Sequence, residues 1–197
     1  VNTKYALILN PDTELKKDTI QHFFKTIDLV PEFWLIGPGN NQVKAKNFDD
    51  NGLLEVDNLK GFAIFFNISK FKKIFFDENF FLYFEETEFC YRAKKKGYFS
   101  YQINDIKVTT KGRSVDLENE SYSNILIWHF IWSKFYFHKK KYGKLLSLII
   151  FLPLLVRILF RIIIYTITKN EVSTTKYKTR FDGLLKSIKG QKSDLRP

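Results

Sequence analysis

The sequence predicts an α/β domain with a mixed sheet, followed by helices that associate with a membrane. Three observations carry that prediction. Through about residue 115, apolar runs of strand length alternate with stretches of helical periodicity, the pattern of a sheet flanked by helices. The net charge of +11 is unevenly spread: residues 1 to 133 carry 17 Lys and Arg against 18 Asp and Glu, whereas residues 134 to 197 carry 15 against 3. Within that basic part lies the apolar run "LLSLIIFLPLLVRILFRIIIYTI" at 145 to 167. Positive charge beside such a run points to a membrane surface rather than to nucleic acid.

The elements follow in order. "KYALIL" at 4 to 9 is a strand that stops at "NPDTEL", where Asn10 and Pro11 end the ladder. A helix is expected from about Leu15 to Asp28, capped by Asp12 or Thr13, with Ile20, Phe23, Phe24 and Ile27 at helical spacing. "FWLIG" at 33 to 37 reads as the second strand, closed by "GPGN", and "NQVKAKNFDDNG" as a polar connection. "GFAIFFNIS" at 61 to 69 is a buried-type strand, and Ser69 is placed to cap a short helix "KFKKIF". From Glu85, "EETEFCYRAKKKG" puts acids in the first turn, lysines in the last and Gly97 beyond the end, as a helix that complements its own dipole does. "YFSYQI" and "IKVTT" are strand-like, the loop "KGRS" follows, and "YSNILIWHFIWSKFYFHKKKYGK" forms an aromatic, increasingly basic helix. The organisation expected is an α/β domain over 1 to 120, the aromatic and apolar helices over 121 to 168, and a polar, basic, loosely held tail over 169 to 197.

Composition excludes several classes of protein. The 197 residues are 45% hydrophobic and 17% aromatic, enough for one domain with a core and an appendage. A single cysteine, Cys90, rules out an internal disulfide framework, and His22, His129 and His138 show no paired metal-ligand spacing. Any metal would be held by carboxylates. Methionine is absent, even at position 1, so the sequence reads as a fragment of a longer chain.

Two acidic features and one basic loop carry candidate chemistry. Asp12 stands on a loop at the carboxyl end of a strand, where open α/β sheets place ligands, and could hold a divalent cation; an Asn-Pro-Asp turn that caps a helix is the plainer reading. Glu85, Glu86 and Glu88 follow the aromatic run "FFLYF". They suit a helix N-terminus, with Glu88 and Arg92 at pairing distance, and an apolar setting is equally how a glutamate becomes a general base. Lys111 and Arg113, about Gly112, form a candidate phosphate-binding loop. The histidines suit packing, and Cys90 suits a small core position.

The apolar run 145 to 167 is long enough to span a bilayer, but Pro153 interrupts it and Arg157 and Arg161 share a face. An in-plane or shallowly re-entrant helix is expected, with Lys139, Lys140, Lys141 and Lys144 on anionic headgroups; a single span is the alternative.

Over about residues 1 to 142 these motifs, taken together, resemble the second half of a family 2 glycosyltransferase of the GT-A fold, of the rhamnosyltransferase-like branch. "YALILNPDTEL" is similar to that family's metal-site loop, with Asn-Pro-Asp in place of Asp-x-Asp. "VDNLKGFAIFFNIS" is similar to its glycine-bearing acceptor strand. "FDENFFLYFEETEFCYRAKKKGY" is similar to its most specific signature, and matches it in spacing as well as residue type. The resemblance implies a Rossmann-like mixed sheet that lacks the N-terminal nucleotide-binding half. It implies an inverting transfer from a nucleotide-diphosphate sugar to a glycan or lipid-linked saccharide, at the cytoplasmic face of the bacterial inner membrane, in surface polysaccharide synthesis. Glu86 is then the catalytic base, in place of the usual aspartate. Asp12 holds Mg²⁺ or Mn²⁺, and Asn10, Asp12, Lys111 and Arg113 face the donor diphosphate. Asp57, Lys60, Gly61 and Glu85 lie near the acceptor. Thr109, Thr110 and Lys111 stand where the family has histidine and glycine. That departure favours a rival reading, a membrane-docked, non-catalytic binding or scaffold protein derived from a transferase.

Overall fold

The computed structural model describes residues 3–39, 48–70, 76–106, 108–110 and 120–196. The chain forms two compact units, one of residues 1–76 and 86–114, the other of 77–85 and 115–197.

The first unit is built on a five-stranded mixed sheet. Strands β1 (Tyr5–Leu9), β3 (Phe33–Pro38), β4 (Leu53–Val56), β5 (Ala63–Asn67) and β6 (Phe99–Ile103) lie in the order β1-β5-β3-β6-β4. Only β3 and β6 run parallel; the remaining pairs are antiparallel. Strands β3 and β5 are buried at every position, as their unbroken apolar runs require of a sheet covered on both faces. On one face Phe23 of helix α1 (Thr19–Leu29) packs with Phe33, Ile36, Phe65, Ile103 and Ile106. On the other, Phe89, Cys90 and Ala93 of helix α2 (Glu85–Lys94) meet Trp34, Leu35, Ile64 and Phe66. Cys90 is a core residue, as its sequence setting suggests, and burial pushes its thiol up to about 11.

The structure corrects three readings in this unit. The helix expected from Leu15 begins only at Thr19, because Thr13–Leu15 form strand β2 and pair antiparallel with β7 (Val108–Thr110). Neither Asp12 nor Thr13 caps α1: Asp18 occupies the cap without a side-chain bond, and the Thr13 hydroxyl is turned onto the Phe62 carbonyl at 3.3 Å. Backbone held at the extended angles of a ladder cannot at the same time take up helical ones. Strand β4 follows the stretch read as connection, its turn set by Asp49 Oδ1, which accepts from the backbone N–H of Asn51 and Leu53. Of the short helix expected after Ser69, residues 71 to 75 lie outside the described residues, and 68–70 form a single 3₁₀ turn.

The second unit is helical: α3 (Glu120–Tyr142), α4 (Lys144–Ile167) and α5 (Glu171–Lys189) share a core of Ile131, Phe135, Phe151, Ile158 and Leu184. The loosely held tail expected from residue 169 is therefore a packed helix. Asn170 caps it, its side chain accepting from Ser173 N–H at 3.0 Å, and Gly190 closes it in the left-handed conformation at φ 76°. Tyr177, Phe181, Leu184 and Ile188 give α5 an apolar stripe at helical spacing. Gly183 lets α5 approach α3 closely, since a Cβ there would lie 2.8 Å from the Trp128 carbonyl oxygen.

Candidate active site

The aromatic run before the three glutamates belongs to the second unit, and α3 is what it was built for. Asp77 accepts from Tyr136 Oη at 3.0 Å and from Lys140 Nζ at 2.6 Å. Burial pushes the Asp77 carboxyl up, but the Lys140 ammonium and the N–H groups of Asn79 outweigh it and bring it down to about 2. Phe80 packs edge-on to Tyr136 and Trp132, and Ser133 Oγ donates to the Leu82 carbonyl at 2.7 Å. Tyr83 and Phe84 both pack on Phe130. They have φ of 66° and 67°, a conformation that costs roughly 1–2 kcal/mol for each residue with a Cβ. Side-chain packing thus holds two successive left-handed residues at the turn that starts α2.

The C-terminal residues lie over the same segment. His129 is fully buried, one ring nitrogen 2.9 Å from Ser193 Oγ and the other 2.7 Å from the Leu195 carbonyl, so the second must carry the proton. Desolvation holds the His129 pKa below its ordinary value despite the Leu195 bond. Arg196 stacks over the ring of Phe81, which packs in turn on His129.

In the first unit the structure sets Glu86 against Gly61, and the Asn10–Asp12 turn against the residue that follows that glycine. A Cβ on Gly61 would lie 3.4 Å from Glu86 Oε1, so the glycine leaves just the width of the carboxylate. Glu86 Oε2 is buried and has no hydrogen-bond partner among the described residues. One residue on from Gly61, the Phe62 carbonyl accepts from Asn10 N–H at 2.9 Å and from the Thr13 hydroxyl, which fixes the turn carrying Asp12 beside the glycine. Strand register sets Thr13 opposite Thr110, the last described residue before Lys111 and Arg113, which themselves lie outside the described residues.

Other residues singled out in the sequence have different surroundings. Asp57 bonds Lys94 Nζ at 2.7 Å, at the far end of α2 from Glu86, about 12 Å along the axis at the helical rise per residue. Lys60 is exposed. The Glu85 carboxylate, with one oxygen buried, begins α2. The Glu88–Arg92 pair forms, at 2.7 Å, but Glu88 is fully buried rather than on a solvated helix face. Lys140 is engaged by Asp77, whereas Lys141 and Lys144 are exposed. Sequence reasoning missed Asp77 and His129 as fixing groups, because their partners are 59 to 66 residues away. Among the described residues no group of three or more His, Cys, Asp or Glu side chains could hold a metal.

No protein-family model matches the chain, and no solved structure does. Among curated proteins, 119 residues align at 31% identity with the low-salt glycan biosynthesis hexosyltransferase Agl10 of Haloferax volcanii, a match covering 49% of this chain and 38% of that protein. Across just under half of its length, then, the chain is similar to a hexosyltransferase of glycan synthesis, of which it spans well under two-thirds.

Proposed function

We propose that this chain is the acceptor-side part of an inverting glycosyltransferase of family 2 and GT-A type. Its donor is a nucleotide-diphosphate sugar, and its acceptor is a hydroxyl of a glycan or lipid-linked saccharide in surface polysaccharide synthesis at the inner face of a bacterial membrane. The observation that carries the reading is the Glu86 carboxylate, held against Gly61 beside the Asn10–Asp12 turn with Oε2 buried and unpartnered among the described residues. A buried carboxylate oxygen without a donor is costly unless something else supplies one, and an acceptor hydroxyl would. In the step proposed, Glu86 takes the hydroxyl proton as the acceptor oxygen bonds to the anomeric carbon, and the bond from that carbon to the diphosphate breaks. Glu86 reaches one methylene further than an aspartate, and the absence of a side chain at Gly61 leaves room for it. The similarity to a hexosyltransferase supports the class of reaction.

Asp12 offers a single carboxylate, which suits Mg²⁺ or Mn²⁺ whose remaining ligands come from substrate phosphates and water. When bound, such an ion would neutralise charge on the departing diphosphate. Asn10 and the backbone of the turn would orient the donor.

Sugar-nucleotide turnover by the full-length gene product tests the reading. Glu86→Gln preserves size and hydrogen bonding and should lower turnover by roughly 10²–10⁴ with donor binding little changed. Wild-type turnover in that variant would leave Glu86 a helix N-terminal acid and remove the proposed base.

A further inference from the structure

Helix α4 is the one helix among the described residues long and apolar enough to cross a membrane. Its two faces differ. Ser147, Phe151 and Ile158 are buried, with Leu154 and Ile162 partly so, against a core that includes Phe135 of α3 and Tyr177, Phe181, Leu184 and Ile188 of α5. The opposite stripe runs from Leu145 and Ile149 through Leu152, Val156 and Phe160 to Ile167, at spacings of three and four residues or their sum, and every one of these side chains is at least 56% exposed. This unpartnered stripe runs the whole helix, about 33 Å at the helical rise per residue. A soluble monomer rarely leaves so long an apolar face in water.

We infer that α4 lies in the plane of one leaflet of an anionic bilayer, its exposed stripe among the acyl chains and α5 on the aqueous side. Charge selects the lipid: residues 134 to 197 carry 15 Lys and Arg against 3 Asp and Glu, and Lys141, Lys144, Arg157 and Arg161 are all exposed. Two features oppose a span. The packed face of α4 is joined to α5 as far as Tyr165, which meets Tyr177 at 5.6 Å between ring centroids. A crossing α4 would therefore draw Lys176, Lys178, Arg180 and Lys186 towards hydrocarbon, at roughly 2.5–3.5 kcal/mol for each residue reaching the centre. Arg157 and Arg161 would face the same penalty near the midpoint, whereas an in-plane helix lets both reach headgroup phosphates.

This inference is independent of the transferase reading. The intact chain is mixed with preformed vesicles of phosphatidylcholine alone or with 25 mol% phosphatidylglycerol, and sedimented. Binding should favour the anionic vesicles and weaken with salt. Replacing Ile149, Val156 and Phe160 together by Gln should lower partition by about tenfold or more, since their buried apolar area is lost. Far-UV circular dichroism of that variant should be unchanged, because none of the three sites is packed. Orientation is read from single labels at Leu145→Cys, Val156→Cys and Ile167→Cys in a Cys90→Ala background, quenched by brominated lipids. Equal, shallow depths are expected. A deep centre with shallow ends would establish a span and overturn the inference, and so would absence of vesicle binding. Concentration-dependent self-association that the triple variant abolishes, without vesicle binding, would assign the stripe to a second copy of the chain.

Discussion

Helices α3 and α4 are nearly equal in length and both dominated by large apolar residues, yet one is fastened on several sides and the other on one. What separates them is the polar atom that α3's aromatic residues carry at their tips. Trp128 Nε1 donates to Asp182 at 2.7 Å, Trp132 Nε1 to the Gln191 carbonyl at 3.1 Å, and Tyr136 Oη to Asp77 at 3.0 Å, each partner more than fifty residues away in sequence. The side-chain hydrogen bonds of α4 given by Arg161 to Tyr165 and by Thr166 to the Ile162 carbonyl stay within the helix. An aromatic ring with a donor names its partner, because a buried donor left unpaired is penalised; an aliphatic side chain accepts any apolar neighbour, lipid included.

Substitution should expose that difference directly. Trp132→Ala removes a ring that is 2% exposed, together with its bond to Gln191, and should lower stability by about 3–5 kcal/mol in a denaturant titration. The same measurement on Ile149→Ala, 67% exposed, should stay within about 0.5 kcal/mol. Similar losses from both would erase the distinction between the helices.

The ionic fastening of α3 should be visible in acid. Because the folded-state pKa of Asp77, about 2, lies below the ordinary value of 3.8, its contribution of about 2 kcal/mol is present above pH 4 and lost as the pH falls through 2. Asp77→Asn should remove that contribution, so that between pH 4 and 2 the variant loses less stability than the wild type when both are unfolded by urea. The close approach of α5 gives the smallest effect. Alanine would normally gain about 1 kcal/mol over glycine inside a helix, yet Gly183→Ala should give a net loss of about 1 kcal/mol, since its Cβ would lie 2.8 Å from α3. A rise in thermal midpoint would mean that α5 can shift away from α3 at little cost.

How much of this was legible in the sequence depended on the range of the interaction involved. Strands β1, β3, β5 and β6 and helix α2 are announced by their own apolar runs and end signals, and were read close to where they form. Strand β2 was misread because "TEL" acts as strand only through its partner at 108–110, and nothing local distinguishes it from a helix start. Helix α5 carries ordinary helix signals in Asn170, Gly190 and the spacing of Tyr177, Phe181, Leu184 and Ile188, but the lysines around them give the segment the composition of a polar tail. Of the candidate residues, Glu86 lies against Gly61, and Asn10 hydrogen-bonds the residue that follows that glycine, contacts between positions 25 and 52 apart that no local pattern announces. Asp57 could not be placed, because its ion pair with Lys94 spans 37 residues, and the burial of Glu88 depends on packing that an i, i+4 pair does not reveal.

The segment 77–85 is read by the ribosome in the middle of the first unit and belongs to the second. Its partners on α3 lie between His129 and Lys140, so about 45 further residues must be made before it can begin to dock. At ~5–20 residues per second that is a wait of roughly 2–9 s, during which Phe80, Phe81, Leu82, Tyr83 and Phe84 have no helix to cover them. The turn that leads into Glu86 is thus among the last parts of the chain to be finished, and a nascent protein with its sheet already formed would still lack it.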